Sequence, residues 1–180
     1  MSKSKKKSTG FHHSKKLGQN FLTDHGVVED IAIGSLADED TLVIEIGPGQ
    51  GVLTDELMNY AGALIAVELD DRLIPYLRTR FALNDRVEIV HGDILEIDLE
   101  ELVRSGKEKF NVSKVQVVGN LPYYITTPII MKLLESGIPF ENITIMMQKE
   151  VADRLIAEPG TKNTGAITYG VQYRCTVDKI

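Results

Sequence analysis

The sequence predicts an α/β fold with a mostly parallel, doubly wound sheet. After residue 16, short β-rich runs alternate with helical stretches along nearly the whole chain. Strands that are separated by helices are joined by right-handed crossovers and therefore pair in parallel. The chain has 180 residues, of which 43% are hydrophobic and 26% are charged, so it suits a single domain with a sizeable core.

Two patterns define the individual elements. The β-rich runs predict the strands Thr41–Ile46, Ala63–Glu68, Val87–His91, Val115–Gly119 and Ile143–Gln148. Apolar residues at mostly helical spacing predict the helices Val52–Tyr60, Asp71–Phe81, Leu99–Ser105 and Pro128–Ser136. Doubly wound sheets bind their ligands outside the carboxyl ends of the strands. Each informative motif of this chain falls at such an end.

The formal net charge of −6 conceals an uneven distribution along the chain. Residues 1–16 carry six lysines and no acidic residue, so the other residues carry 14 basic and 26 acidic side chains. We expect residues 1–16 to form a basic flexible tail and residues 17–180 to form the folded domain. Such a tail is typical of a protein that binds a polyanion. A solvated tail without any ligand explains it equally well.

Several classes of protein are disfavoured. No apolar run approaches the ~18 residues of a membrane span, and no apolar stretch follows the N-terminal lysines as a secretory signal requires. Cys175 is the single cysteine, so no disulfide forms within the chain. We therefore expect a cytoplasmic protein that does not bind a membrane.

The first predicted strand runs into a glycine-rich turn that contains Gly47, Gly49 and Gly51. Glycine lets a backbone turn tightly and approach a ligand closely. The second strand ends at Glu68, where a carboxylate can accept from two ribose hydroxyls. A glycine turn alone is weak evidence for a nucleotide. The turn and the distant acidic residue together predict a ligand that contains a nucleoside.

Three residues distinguish between two such ligands. The dinucleotide fingerprint places a third glycine where this chain has Val52, and Pro48 lacks the N–H group that a pyrophosphate would use. Glu45 would add a negative charge close to the phosphates. S-adenosylmethionine has no phosphate but has an ammonium group, which an acidic residue favours. The sequence therefore favours S-adenosylmethionine over NAD.

The third strand leads into Asp93, Ile94 and Leu95. An aspartate here can accept a hydrogen bond from an adenine amino group, and the two apolar residues can line the ring. Alone, the motif would be an ordinary turn with a helix-capping aspartate, but its register with Gly47 and Glu68 favours an adenine site. No grouping of His, Cys and carboxylates has the spacing of metal ligands, so we expect no metal.

The fourth strand ends in Asn120-Leu121-Pro122-Tyr123, which indicates chemistry on an amino group. The N6 lone pair of adenine is delocalised into the ring, and acceptors for both amino hydrogens would localise it. Asn120 can supply a side-chain oxygen, and Leu121 or Pro122 a backbone carbonyl. Tyr123 offers a face on which an extruded base can stack. The alternative is a proline-containing loop with two core tyrosines.

Four segments carry a resemblance to one known family. Asn120–Thr126 resembles the catalytic signature of the ribosomal RNA adenine dimethyltransferases. Leu17–Leu22 is similar to the N-terminal motif of that family, and Met146–Arg154 is similar to its strand and helix after the catalytic loop. Pro159–Lys162 with Gly165 resembles the flexible loop that follows. The resemblance covers nearly the whole chain.

The resemblance implies a Rossmann-like, class I S-adenosylmethionine-dependent methyltransferase fold and a set of site residues. The implied catalytic residues are Asn120, Leu121, Pro122 and Tyr123. The implied cofactor-binding residues are Asn20, Leu22, Gly47, Glu68, Asp93 and Asn120. Further candidates for the cofactor pocket are Gln19, Glu45, Gly49, Leu69 and Ile94.

Two branches of this family differ in sequence. A Gly-Pro-Gly turn with Asn-Leu-Pro-Tyr, as here, is typical of enzymes that modify small-subunit RNA, whereas macrolide-resistance enzymes that act on 23S RNA tend toward Gly-Ser-Gly and Asn-Ile-Pro-Tyr. The resemblance therefore implies dimethylation at N6 of two adjacent adenosines near the 3′ end of 16S RNA, within the pre-30S subunit. The alternatives are a 23S RNA methyltransferase, a non-catalytic ribosome-assembly factor and a DNA adenine methyltransferase, which Gln19–Leu22 and Gln148–Arg154 disfavour.

Members of the family continue beyond the position of Ile180 with a last strand and a basic helical domain that binds RNA. We therefore expect a truncated, monomeric chain that lacks this domain and keeps an intact core over Leu17–Arg154. In this architecture the last strand lies between Ile143–Gln148 and a strand near Arg174–Ile180. Without it, we expect residues after about Gly165 to be displaced, poorly ordered or paired with another chain, because unpaired strand edges are unfavourable.

Overall fold

The computed structural model describes residues 24–180, which contain five strands and seven helices. The strands are β1 Thr41–Ile46, β2 Ala63–Glu68, β3 Val87–His91, β4 Lys114–Asn120 and β5 Asn142–Met146. The helices are α1 His25–Gly34, α2 Val52–Leu57, α3 Ile74–Arg80, α4 Leu99–Phe110, α5 Thr126–Glu135, α6 Lys149–Leu155 and α7 Ala166–Gln172. The strands form one parallel sheet in the order β3-β2-β1-β4-β5. The predicted α/β fold with a doubly wound sheet is confirmed.

The bounds of β1, β2 and β3 are the predicted ones, whereas several other elements end elsewhere. β5 ends at Met146 and not at Gln148 as predicted, because Gln148 is the residue that caps the start of α6. The predicted α4 stops at Ser105, but the helix continues through Gly106 to Phe110. A Cβ at Gly106 would lie only 2.7 Å from a methyl carbon of Ile65. Glycine therefore occurs inside this helix because the helix lies close against the sheet.

Apolar spacing did not predict α1, α6 or α7, although the resemblance implied a helix at the position of α6. α1 begins after Asp24, whose carboxylate accepts a hydrogen bond from the Gly26 amide at 3.0 Å. Its buried residues Val28, Ile31 and Ala32 have the i, i+3, i+4 spacing of a helix face. That pattern and the aspartate cap were available in the sequence. No helix of residues 24–180 is long and apolar enough to cross a membrane.

The core lies on both faces of the sheet, and the six residues of β1 are all buried. Alternate residues of a strand point to opposite faces. One cluster joins Leu42, Ile44 and Ile46 of β1 to α4 and α5, and the other joins Val43 to α1 and α2. A strand that is buried on both faces is typical of a doubly wound parallel sheet. β1 is therefore the central strand of the sheet, and the turn that follows it begins from a fully buried segment.

The strand order reverses at β1. From β1 the chain continues to β2 and β3 on one side, and it returns to β4 and β5 on the other side. Loops that leave two neighbouring strands in opposite directions open a crevice at the carboxyl edge of the sheet. The turn after β1 and the loop after β4 border this crevice.

At the amino ends of the strands, opposite the crevice, polar side chains connect the sheet to the segment between α1 and β1. Lys114 Nζ lies 2.5 Å from an Asp38 carboxylate oxygen, and this hydrogen bond holds the pKa of Asp38 below its ordinary value. The Gln116 side chain donates to the carbonyl of Leu36 at 3.3 Å, and the Asn142 side chain donates to that of Ser35 at 3.1 Å. These contacts fix the connection between α1 and β1. None of the candidate site residues takes part in them.

The segment after β5 ends the chain with helices and without a further strand. Residues 166–172 form α7, whose Val171 packs with Ile130 and Leu155 in a separate apolar cluster. Residues 173–180 contain no strand, which agrees with the expectation that the segment after about Gly165 is displaced from the strand position of the family architecture. Among the described residues, β5 pairs with β4 alone.

Candidate functional site

The candidate residues form a row across the carboxyl edge of the sheet. Ile46 lies opposite Val67 in β2 and opposite Gly119 in β4. The next residue of each chain segment continues this register, so Gly47 lies between Glu68 and Asn120. Neighbouring strands are about 4.8 Å apart. One elongated ligand across this edge would therefore meet all three residues that the sequence places in the cofactor site.

The turn after β1 depends on backbone conformations that favour glycine. Gly47, Gly49 and Gly51 have φ values of 70°, 59° and 78°, in the left-handed region. A Cβ at Gly47 would have no heavy atom within 4 Å, so the backbone there faces open space. A Cβ at Gly51 would lie 2.8 Å from the Phe81 ring. The turn is therefore packed against α3 on one side and open to a ligand at Gly47.

Glu68 is the acidic residue at the end of β2, and only 5% of it is exposed. One of its carboxylate oxygens accepts from the Gly49 amide at 3.1 Å, and the other accepts from the Asp70 amide at 2.8 Å. Burial raises the pKa of Glu68 above its ordinary value. An ionised carboxylate has about four acceptor positions. Glu68 can therefore accept two further hydroxyl groups while it still holds the glycine turn.

Glu45 is buried one strand away from Glu68, with 1% of its surface exposed. The Thr54 hydroxyl donates to its carboxyl group at 2.6 Å. Burial raises the pKa of Glu45 to about 8, and the negative charge of Glu68 contributes to the same shift. Glu45 is therefore neutral below about pH 8, and a positively charged ligand close to it would favour its ionised form. This environment fits a ligand that carries positive charge and disfavours a pyrophosphate.

The raised pKa of Glu45 predicts a dependence of stability on pH. In the folded chain Glu45 keeps its proton up to about pH 8, against an ordinary pKa of 4.5, so the unfolded chain releases the proton first. The free energy of unfolding therefore falls as pH rises through this window. Glu45→Gln removes this dependence. As pH rises from 5 to 8, we expect the free energy of unfolding of the variant to increase by a few kcal/mol relative to that of the unmodified chain.

Urea denaturation at several pH values measures this difference. Glu39→Gln changes an exposed carboxylate near the start of β1 and serves as the matched control. Parallel pH profiles for the unmodified chain and Glu45→Gln would contradict the assignment of a proton to buried Glu45.

Asp93 lies two residues beyond β3, in a turn that its own carboxylate helps to form. Asp93 Oδ1 accepts from the Leu95 amide at 2.9 Å, and no described residue donates to Oδ2. Ile94 is buried in the core below the turn. Leu69, at the end of β2, is 43% exposed and so presents an apolar surface at the same edge. A carboxylate oxygen and apolar side chains of this kind are suited to an adenine ring.

The loop after β4 is rigid and partly exposed. Leu121 is 2% exposed, and its amide donates to the Met146 carbonyl at 3.3 Å, which extends the pairing with β5. The Pro122 carbonyl accepts from the Thr126 hydroxyl at 3.0 Å and from the Ile125 amide at 3.2 Å. Within residues 24–180, no group donates to the Leu121 carbonyl. Of the two backbone acceptors considered from the sequence, only the Pro122 carbonyl is already engaged.

The predicted site residues that the structure describes lie at this edge or directly beneath it. Gln19, Asn20 and Leu22 are outside the described residues, as is the basic tail over residues 1–16. Sequence reasoning missed Thr54, which holds Glu45, and no sequence signal marks that contact. Within residues 24–180, no group of three or more His, Cys, Asp or Glu residues is arranged to hold a metal ion.

Solved structures of two RNA-modifying enzymes share this arrangement of strands and helices. A dimethyladenosine transferase from Plasmodium falciparum is 26% identical, has a TM-score of 0.72, and the match covers 85% of this chain and 52% of that one. The 23S rRNA methyltransferase ErmE is 31% identical, has a TM-score of 0.65, and the match covers 75% of this chain and 50% of that one.

Curated relatives named ribosomal RNA small subunit methyltransferase A are more similar in sequence. The one from Ligilactobacillus salivarius is 50% identical over 91% of this chain, and the one from Clostridioides difficile is 48% identical over 93%. The chain spans 55% and 57% of the length of these two relatives. Residues 10–180 match the family described as ribosomal RNA adenine dimethylase. With its site at the carboxyl edge of a five-stranded sheet, this chain therefore belongs to the ribosomal RNA adenine dimethylase family.

Proposed function

We propose that this protein transfers methyl groups from S-adenosylmethionine to N6 of adenosines in small-subunit ribosomal RNA. The observation that carries the proposal is the row of Glu68, Gly47 and Asn120 across the carboxyl edge. It brings an acceptor for ribose hydroxyls, an open backbone and an amide side chain to one crevice. The substrate that we propose is two adjacent adenosines near the 3′ end of 16S RNA in the pre-30S subunit, modified by a cytoplasmic monomer.

The residues present fit S-adenosylmethionine. Glu68 would accept from the two ribose hydroxyls, Asp93 would accept from the adenine amino group, and the apolar Ile94 and Leu69 would line the ring. The methionine end would lie toward Gly47, where the backbone is open, and its positive charge would favour the ionised form of Glu45. Asn20 and Leu22 are the further contacts that the resemblance implies. When bound, this cofactor supplies an electrophilic methyl group on a positively charged sulfur.

The Asn120 loop would bind the target amino group. The Asn120 side-chain oxygen and the Leu121 carbonyl would accept its two hydrogens, which localises the nitrogen lone pair. The Leu121 carbonyl is favoured over that of Pro122, because the latter already accepts from Thr126 and from a backbone amide. The buried Leu121 side chain fixes the position of this carbonyl before the substrate arrives. Such preorganised acceptors contribute to catalysis without a cost of rearrangement.

Tyr123 is 52% exposed beside this loop, and we propose that the extruded adenine stacks on its ring. Tyr123→Ala is expected to weaken productive binding of the RNA by about 1–3 kcal/mol, which is the contribution of one stacked base. Tyr123→Phe is expected to behave like the unmodified protein, since stacking requires the ring alone. Steady-state kinetics with varied RNA concentration measure the effect as a change in KM. Equal losses in the two variants would assign the role to the hydroxyl instead.

The alternative substrate is large-subunit RNA. It is supported by the similarity to ErmE, at 31% identity. The relatives named as small-subunit methyltransferases are 47–50% identical, and the Gly-Pro-Gly turn and Asn-Leu-Pro-Tyr loop also favour the small subunit. A non-catalytic assembly factor would have no need of the complete Asn120–Tyr123 loop.

A methyl-transfer assay distinguishes these functions. The protein expressed from its complete gene is incubated with tritiated S-adenosylmethionine and with undermethylated small subunits, large subunits or DNA. We expect tritium to enter small-subunit RNA as dimethyladenosine. Incorporation into large subunits alone would support the alternative substrate. Cofactor binding without any transfer to these substrates would support the assembly factor.

A further inference from the structure

Lys132 extends from α5 to the segment that joins β3 to α4. Its Nζ donates to the carbonyl oxygen of Leu95 at 2.7 Å and to that of Ile97, also at 2.7 Å. The lysine is half-buried. A lysine ammonium is strongly hydrated in water, so burying it costs free energy that these two bonds offset.

The two residues that Lys132 holds are the ones that shape the turn of Asp93. The Leu95 amide donates to Asp93 Oδ1 at 2.9 Å, and the Ile97 amide donates to the Asp93 carbonyl at 3.0 Å. Leu95 and Ile97 each donate to Asp93 through an N–H group and accept from Lys132 through a carbonyl. The ammonium group therefore fixes the residues that determine where the Asp93 carboxylate points.

The same lysine connects the two halves of the site. α5 begins directly after the Asn120 loop, and its buried residues Ile129 and Leu133 share one apolar cluster with Ile94. Packing alone holds the two segments together but does not fix the direction of a carboxylate. The two hydrogen bonds of Lys132 add that restriction.

We infer that Lys132 is a positioning residue for the adenine of the cofactor, acting through Leu95 and Ile97 on Asp93. The inference rests on the proposed function, since it requires an adenine amino group at Asp93. Without the ammonium group, the carbonyls of Leu95 and Ile97 lose this restraint and the Asp93 carboxylate is aligned less closely. The chain then loses its preference for an amino group over an oxygen at position 6 of the purine.

Two ligands that differ at this position test the inference. S-adenosylhomocysteine carries the 6-amino group, and S-inosylhomocysteine carries an oxygen there. Calorimetry gives the affinity of the 180-residue chain and its variants for both. We expect Lys132→Met to lower the affinity for S-adenosylhomocysteine about tenfold and the affinity for S-inosylhomocysteine less than twofold. Lys132→Arg, which keeps two donors, should restore affinity to within threefold.

Lys109→Met is the matched control, because Lys109 on α4 donates to Glu88 at 2.9 Å away from the Asp93 turn. It should leave both affinities unchanged. Lys132→Gln keeps an uncharged NH₂ group on a shorter side chain and is the second variant should the methionine variant not fold. An equal loss of affinity for both ligands, or an unchanged ratio of the two affinities, would overturn the role of Lys132 while the proposed function stands. Failure of the unmodified chain to bind either ligand would overturn both.

Discussion

Asn120→Ala is expected to reduce methyl transfer roughly 10²–10³-fold, the scale observed when one preorganised group is removed from a developing charge. The variant loses the side-chain oxygen that would accept from the target amino group, whereas the Leu121 carbonyl remains. Affinity for S-adenosylmethionine should stay within severalfold, because Glu68 and Asp93 are unchanged. Single-turnover transfer to undermethylated small subunits, measured with the complete protein, gives the rate.

Asn59→Ala is a suitable control for this experiment, since Asn59 is an exposed asparagine in the turn after α2. It should transfer methyl groups at the unmodified rate. An unchanged single-turnover rate in Asn120→Ala would refute the catalytic role of Asn120. A large loss of cofactor affinity with little loss of rate would place this residue in the cofactor site alone.

Glu68→Ala is expected to weaken S-adenosylmethionine binding by about 1.5–3 kcal/mol, which corresponds to roughly 10–150-fold in Kd. The carboxylate would lose its bonds to two ribose hydroxyls, and the Gly49 amide would lose its acceptor. Because burial raises the pKa of Glu68, the unmodified chain should also bind more weakly as pH falls and the carboxylate is protonated. Calorimetry with the 180-residue chain measures both effects.

Glu88→Ala provides the comparison, because Glu88 lies on the neighbouring strand and pairs with Lys109 at 2.9 Å, outside the crevice. Its Kd should equal that of the unmodified chain. Affinity at the unmodified level in Glu68→Ala would remove this residue from the ribose site.

The central strands could be predicted from the sequence because their composition leaves little alternative. β1 and β2 are mostly aliphatic and are buried along their whole length, which is typical of a strand covered on both faces. The C-terminal end of α4 could not be predicted, since Gly106 normally weakens a helix and is accommodated here by close packing on Ile65. α7 was missed because its stability depends on tertiary contacts with α5 and α6 and not on a strong local signal.

The site was predictable where chemistry depends on a residue type at the end of a strand. Glu68, Asp93 and Asn120 were all proposed in this way, because parallel strands bring their carboxyl ends to one edge. The choice between the Leu121 and Pro122 carbonyls required coordinates, since it depends on which oxygen already accepts a hydrogen bond. Lys132 was beyond sequence reasoning, because its acceptors lie more than 30 residues away in the chain.

The polar contacts at the amino ends of the strands, on the side of the sheet opposite the crevice, are a suitable target for substitutions that change stability. Leu36 in that region has a φ of 59° although it is not a glycine, and it is 74% exposed. A left-handed conformation costs a residue with a branched side chain roughly 1–2 kcal/mol, and asparagine tolerates it better. Since the crevice lies at the other edge, the strength of this connection can change without altering the residues that face a ligand. Substitutions at this position are therefore expected to change the stability of the chain without changing the residues that border the crevice.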